Sequence, residues 1–166
     1  MEAVSSRRLP DLRALAGLVL AVLACELVGI TAAVFTQTGL STWYGTLTRP
    51  ELAPPNWVFG PVWTTLYALM GVAVWLAWRN GTGRARTVAV SLFVVQLALN
   101  FSWSFVFFGA QEILAALAVI VALLVAIVAT MAAFWRVDRR AAPLMVPYLA
   151  WVAFATYLNY GFWTLN

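Results

Sequence analysis

What most constrains this sequence is the spacing of its polar breaks: five apolar blocks, each about as long as a bilayer is thick, separated by short polar or charged stretches. A helix needs about 20 apolar residues to cross a hydrocarbon core of roughly 30 Å. The blocks run from Ala14 to Phe35, Val58 to Trp78, Thr87 to Phe108, Ile113 to Trp135 and Leu144 to Trp163. Two breaks are charged turns, Arg79-Asn80-Gly81-Thr82-Gly83-Arg84 and Arg136-Val137-Asp138-Arg139-Arg140. A third, Gly109-Ala110-Gln111-Glu112, is so short that it predicts an antiparallel hairpin. Backbone in lipid must satisfy its own hydrogen bonds, and the blocks lack the period-two alternation of barrel strands, so they read as helices. Composition agrees: 64% of residues are apolar and 10% charged, where a soluble domain has nearer half and a quarter. The expected fold class is all-α, an integral membrane bundle of five transmembrane helices forming one domain over residues 1–166, with a long first loop at 36–57.

Charge supplies an orientation and several exclusions. Arg7, Arg8, Arg13, Arg79, Arg84, Arg86, Arg136, Arg139 and Arg140 fall on the N-terminal side of the alternating spans, against Arg49 alone on the other. By the positive-inside rule the N-terminus is cytoplasmic and the C-terminus outside, in a plasma or inner membrane. Every basic residue is Arg and there is no His. Schiff-base lysines, Ser-His-Asp triads, histidine-ligated zinc and histidine-ligated haem are therefore excluded. No metal site, required cofactor or nucleic-acid partner is expected. The lone Cys25 allows no internal disulfide. A rival reading takes the arginines and the run ending at Cys25 as a cleavable secretory or lipoprotein signal, but the apolar run continues to Phe35, as a transmembrane helix does.

The aromatic residues divide into two sets. Trp43, Trp57, Trp78, Trp135 and Trp163 sit in the first loop or at span ends, where indoles anchor at the headgroup level. Others repeat at steps of three and four: Trp63, Tyr67, Met70, Val74 and Trp78 on span two; Gln96, Asn100, Trp103 and Phe107 on span three; Tyr148, Trp151, Ala155 and Asn159 on span five. An amide in hydrocarbon needs a partner and turns toward the bundle interior. The aromatics sharing its face turn inward with it. Singly, each amide is as well explained by helix-to-helix glue as by ligand binding. Together the three faces compose an apolar pocket with a few polar groups, suited to a flat aromatic guest.

Three further features remain. Glu26 is the only acid well inside a span, and serves either a ligand or a hydrogen bond between helices. Span four has no aromatic residue from Ile113 to Ala133, and its seam of Ala118, Ala122, Ala126 and Ala129 predicts close packing of helices, within the bundle first and at a dimer interface as the alternative. The segment from Arg49 to Trp57 carries three prolines and is either a stiff cap over the pocket or a rigid connector.

These residues resemble the TspO/MBR family of tryptophan-rich sensory membrane proteins, which includes the peripheral benzodiazepine receptors. The resemblance runs from about Trp43 to Trp163. It is carried by Trp43-Tyr44, the Pro50 to Trp57 loop, Phe59-Gly60-Pro61-Val62-Trp63 with Leu66-Tyr67 and Met70-Gly71, Gln96-Leu97-Ala98-Leu99-Asn100 with Trp103 and Phe107-Phe108-Gly109, and Pro147-Tyr148-Leu149-Ala150-Trp151 through Leu158-Asn159-Tyr160. It implies a five-helix bundle acting as a receptor, sensor or transporter for porphyrins of the protoporphyrin IX class and related planar ligands, benzodiazepine-type compounds among them. Tyr44, Trp63, Tyr67, Asn100, Trp103, Phe107, Trp151 and Ala155 would then bind the ligand. The resemblance leaves a homodimer open, and leaves open two alternatives: light-dependent porphyrin degradation with Trp63 and Trp151 as the reactive pair, or a partner-dependent signalling or scaffold role. Two departures stand out. Leu52 occupies a loop position where the family commonly has Trp, and no basic residue follows Tyr160, so the sterol motif of the animal proteins is incomplete.

Overall fold

The computed structural model describes residues 11–166. Arg7 and Arg8 of the charge argument lie outside them. The elements are α1 (Leu12–Ser41), α2 (Phe59–Asn80), α3 (Gly83–Ser104), a π-helical turn (Phe105–Gly109), α4 (Ile113–Val137), a four-residue helical turn (Ala141–Leu144) and α5 (Val146–Leu165), with 3₁₀ turns at Tyr44–Thr46 and Asn56–Val58. No strand occurs among the described residues. Five helices are long and apolar enough to cross a membrane. The chain is a multi-pass integral membrane protein.

Local chemistry explains the helix ends. The Asp11 carboxylate accepts the Arg13 N–H at 3.2 Å and caps α1. Pro147 opens α5, where no backbone donor is needed. The α3–α4 hairpin reverses at Gln111, which takes a φ of 61°. The first expected boundary is corrected: α1 does not stop at Phe35 but continues to Ser41, so the loop begins at residue 42. Thr36 donates to Ala32 O at 3.2 Å, Thr38 to Val34 O at 2.9 Å and Thr42 to Thr38 O at 2.8 Å. Hydroxyls bonded to their own helix let polar residues extend a span without exposing an unpaired group. At 30 residues, α1 is about 45 Å long, well beyond the roughly 30 Å hydrocarbon core, so it tilts or projects into the headgroups.

Helix α1 packs on α2, α3 on α4, and α4 on α5, while the π turn rests against α1. The α1–α2 crossing is close because Gly71 has no side chain: a Cβ there would stand 2.5 Å from Val22 Cα. The alanine seam of α4 is a second correction. Ala118 and Ala122 are exposed, and the buried face is Ala116, Ile120, Leu123, Ile127, Thr130 and Phe134. Large side chains make more dispersion contacts than a methyl. They, rather than the alanines, decide which face of α4 turns inward. Arg13, Arg79, Arg84, Arg86, Arg136, Arg139 and Arg140 cluster at one end of the bundle and Arg49 lies at the other.

Candidate functional site

The three expected faces do turn inward. Gln96, Asn100, Trp103 and Phe107 of the α3 segment are buried, as are Tyr67 and Met70 of α2 and Tyr148, Ala155 and Asn159 of α5. Trp63 and Trp151 are half-buried at the edge of this interior. Two of the three amides find oxygen or nitrogen partners on other helices, whereas Gln96 donates to the Met70 sulfur at 3.8 Å and leaves its Oε1 unpartnered among the described residues. Asn100 accepts from the Tyr67 hydroxyl at 2.5 Å and donates to the Tyr148 hydroxyl at 3.0 Å, joining α2, α3 and α5 through one side chain. Asn159 accepts from Trp103 Nε1 at 3.1 Å and donates to Ile113 O at 2.9 Å.

The π turn adds what helical spacing does not predict. Its wider pitch puts the consecutive Phe107 and Phe108 both inside, ring centroids 4.8 Å apart. Trp43, expected as an interface anchor, packs its ring edge-on to Phe107 at 5.5 Å. Trp78 and Trp135 are exposed at helix ends, where such anchors belong.

Seven of the eight candidate residues, all but Asn100, belong to or pack against one hydrophobic cluster, but the eight do not line one cavity. Trp63 and Tyr67 line a cavity of about 120 Å³ between α1 and α2, together with Glu26, Gly29, Thr36 and Ser104. Tyr44, Trp103, Phe107 and Ala155 line a second, of about 20 Å³, under the first loop. Phe59 lines both. Asn100 lines neither and holds the walls. Trp151 also lines neither, and packs against Phe59 at 6.2 Å. Sequence reasoning did not single out Phe59, Gly29, Ser104 or Phe108. Phe59 carried a signal, standing one helical turn before Trp63 on the same face. Glu26 belongs to the first cavity, on the same wall as Gly29 and facing the α2 aromatics.

The first loop reaches the second cavity through Tyr44. Asn166 accepts from Thr48 N at 2.8 Å and donates to Thr48 O at 3.1 Å, pinning the loop to the end of α5. Pro50 lies against Gly161, where a Cβ would approach its ring to 2.8 Å. Arg49 lies over the Tyr44 ring at 4.9 Å. Tyr44 is itself buried among aromatic rings with its hydroxyl unpartnered. Leu52 and Trp57 point away from the site and are exposed.

Among the described residues no cluster of three or more His, Cys, Asp or Glu could hold a metal ion. The site offers stacking faces, two amides, phenol hydroxyls and one carboxyl. These features define a class of small membrane proteins: a five-helix bundle with a tryptophan-rich, amide-braced interior under a proline-stiffened loop. Residues 21–164 match the TspO/MBR family, and the chain belongs to it. It is 48% identical over 145 residues to the tryptophan-rich protein TspO of Chlorobaculum tepidum, covering 86% of this chain and 90% of that one. With the protein of the same name from Archaeoglobus fulgidus it shares 41% over 149 residues, 90% and 96% of the two chains. With the human translocator protein it shares 44% over 126 residues, 75% of each.

Proposed function

We propose that this protein binds planar, apolar tetrapyrroles of the protoporphyrin IX class in its aromatic interior, acting as a membrane receptor, sensor or transporter. The observation that carries this reading is the arrangement around Phe59: two cavities with aromatic side chains in their walls that share this residue in their lining. At about 120 Å³ and 20 Å³ neither reaches the roughly 300–1,000 Å³ of a site for a drug-sized ligand. Rotation of Phe59 joins them, and an outward shift of α1 widens the result. The flat guest then stacks on Trp63 and Trp151, while the Tyr44 hydroxyl offers it a hydrogen bond. The arginine asymmetry supports a cytoplasmic N-terminus in a plasma or inner membrane.

The test is a titration of purified protein with protoporphyrin IX, followed by tryptophan fluorescence. Saturable binding in the micromolar range, about −8 kcal/mol, is expected. Trp63→Phe and Trp151→Phe should each weaken it, and Trp135→Phe, at an exposed helix end, should leave it unchanged. A linear signal, or one indifferent to both pocket substitutions, would mean partitioning into detergent and would remove the proposal.

A further inference from the structure

A third concavity lies at the arginine-rich end of the bundle, away from the aromatic interior and independent of its reading. This groove of about 580 Å³ runs between the start of α1 and the end of α2 and is lined by Arg13, Arg79, Arg86, Trp75 and Trp78, with Asp11 at its rim and Gly17, Leu20, Ala21 and Val74 as its floor. Its arginines are arranged rather than merely solvated. The Arg79 guanidinium lies 5.3 Å over the Trp75 ring, and Arg86, from the first turn of α3, lies 4.9 Å over Trp78 of α2. Each guanidinium centre is thus held beside an indole, and no described hydrogen bond uses its N–H groups, which are the groups that grip a phosphate with two parallel bonds.

Among the described residues none of these arginines is in a salt bridge, and the one carboxylate at the groove is that of Asp11. The one salt bridge among the described residues is Arg140 to Asp138, elsewhere on this face. Asp11 uses its carboxylate to cap α1. Gly17 lets the Trp75 indole approach α1 closely, since a Cβ there would stand 3.3 Å from Nε1. The groove is thus cationic at its rim, where headgroups lie, and apolar toward the bilayer centre.

We propose that this groove is a binding site for an anionic phospholipid of the leaflet on the arginine-rich side, its phosphate held by Arg79, Arg86 and Arg13 and an acyl chain laid along Leu20, Ala21 and Val74. A free phosphate would use the rim alone. The apolar floor selects an amphiphile.

The test counts lipids retained by the full chain, by native mass spectrometry from neutral detergent, with phosphatidylglycerol and phosphatidylcholine of identical acyl chains as probes. Phosphatidylglycerol should be retained in preference. Arg79→Gln with Arg86→Gln should weaken its retention by about 25-fold, fivefold for each arginine, which corresponds to ~1 kcal/mol per basic side chain at a membrane surface. Arg136→Gln with Arg139→Gln, which removes equal charge outside the groove, should change it little. If the double variant fails to fold, the exposed Arg13→Gln alone should show the fivefold loss. Equal retention of the two lipids, an equal loss in the outside pair, or complete displacement of phosphatidylglycerol by millimolar inorganic phosphate would each overturn the assignment. The last would mean a free-anion site.

Discussion

Helix α3 has polar side chains that bond to other helices, and α1 among the described residues has none, although Thr87 and Ser102 of α3 bond to their own helix as the threonines of α1 do. On α1, Thr31, Thr36 and Thr38 return their hydroxyls to carbonyls of the same helix. On α3, Asn100 and Trp103 bond to α2 and α5. Burial follows the same division: 11% of the most apolar stretch of α1 is buried, against 33% in α3. Lipid is as apolar as leucine, so only close packing and bonds between helices favour association inside the membrane. Helix α3 is therefore tied into a frame with α2, α4 and α5, whereas α1 is held by shape alone. The larger aromatic cavity lies on the α1 side of that frame, where opening it breaks no described hydrogen bond between helices.

The largest expected effect comes from cutting the frame. Asn100→Ala leaves the buried hydroxyls of Tyr67 and Tyr148 without their amide. Unsatisfied groups cost roughly 1–3 kcal/mol each, and hydrogen bonds between membrane helices average nearer 0.6 kcal/mol. A destabilisation of about 2 kcal/mol is expected, read from unfolding in mixed detergent micelles. Adding Tyr67→Phe and Tyr148→Phe should recover part of it, because the orphaned hydroxyls go too. A single variant within 0.5 kcal/mol of wild type would show that the frame is not held by this network.

Gly71→Ala probes the other side of the comparison. Its new methyl meets the backbone of Val22, so α1 must move away from α2. A helix held only by shape accommodates this by a small displacement, and the expected cost is about 1 kcal/mol, the low end for overpacking. The same unfolding measurement decides it. Should Gly71→Ala prove as damaging as Asn100→Ala, α1 is as fixed as α3 and the distinction fails.

This contrast also explains what could be read in the sequence. A bilayer demands a minimum apolar length, so the five spans were legible, as was the inward turn of Gln96, Asn100 and Asn159, because a buried amide has nowhere else to go. The end of α1 was not, since a threonine bonded to its own helix looks in sequence like a loop residue. The alanines of α4 say that a neighbour can come close but not from which direction. The π turn that brings in Phe108 is an insertion in a hydrogen-bond ladder and leaves no mark on composition. That the lining falls into two cavities sharing Phe59 depends on side-chain orientations, and no residue pattern encodes a rotamer.

The smallest effect sharpens the question of where the frame ends. Asn80, at the last turn of α2, donates to the Asp138 carboxylate at 2.6 Å, and Arg140 binds the same carboxylate through Nε at 3.1 Å and Nη2 at 3.0 Å. This clip joins α2 to the turn between α4 and α5. The Arg140 side chain and backbone N–H, with Asn80 behind them, lower the Asp138 pKa from 3.8 to about 2. A carboxylate whose folded pKa is depressed contributes its stability above the unfolded value, near 3.8, and loses it as pH falls toward about 2. The loss should be small, within the range of an exposed ion pair. Comparing wild type with Asp138→Asn by unfolding midpoint between pH 5 and pH 2 isolates it: the gap between the two should narrow on acidification. A gap that stays constant with pH would mean the carboxylate charge contributes nothing, and that α2 belongs to the frame through Tyr67 and its packing rather than through its end.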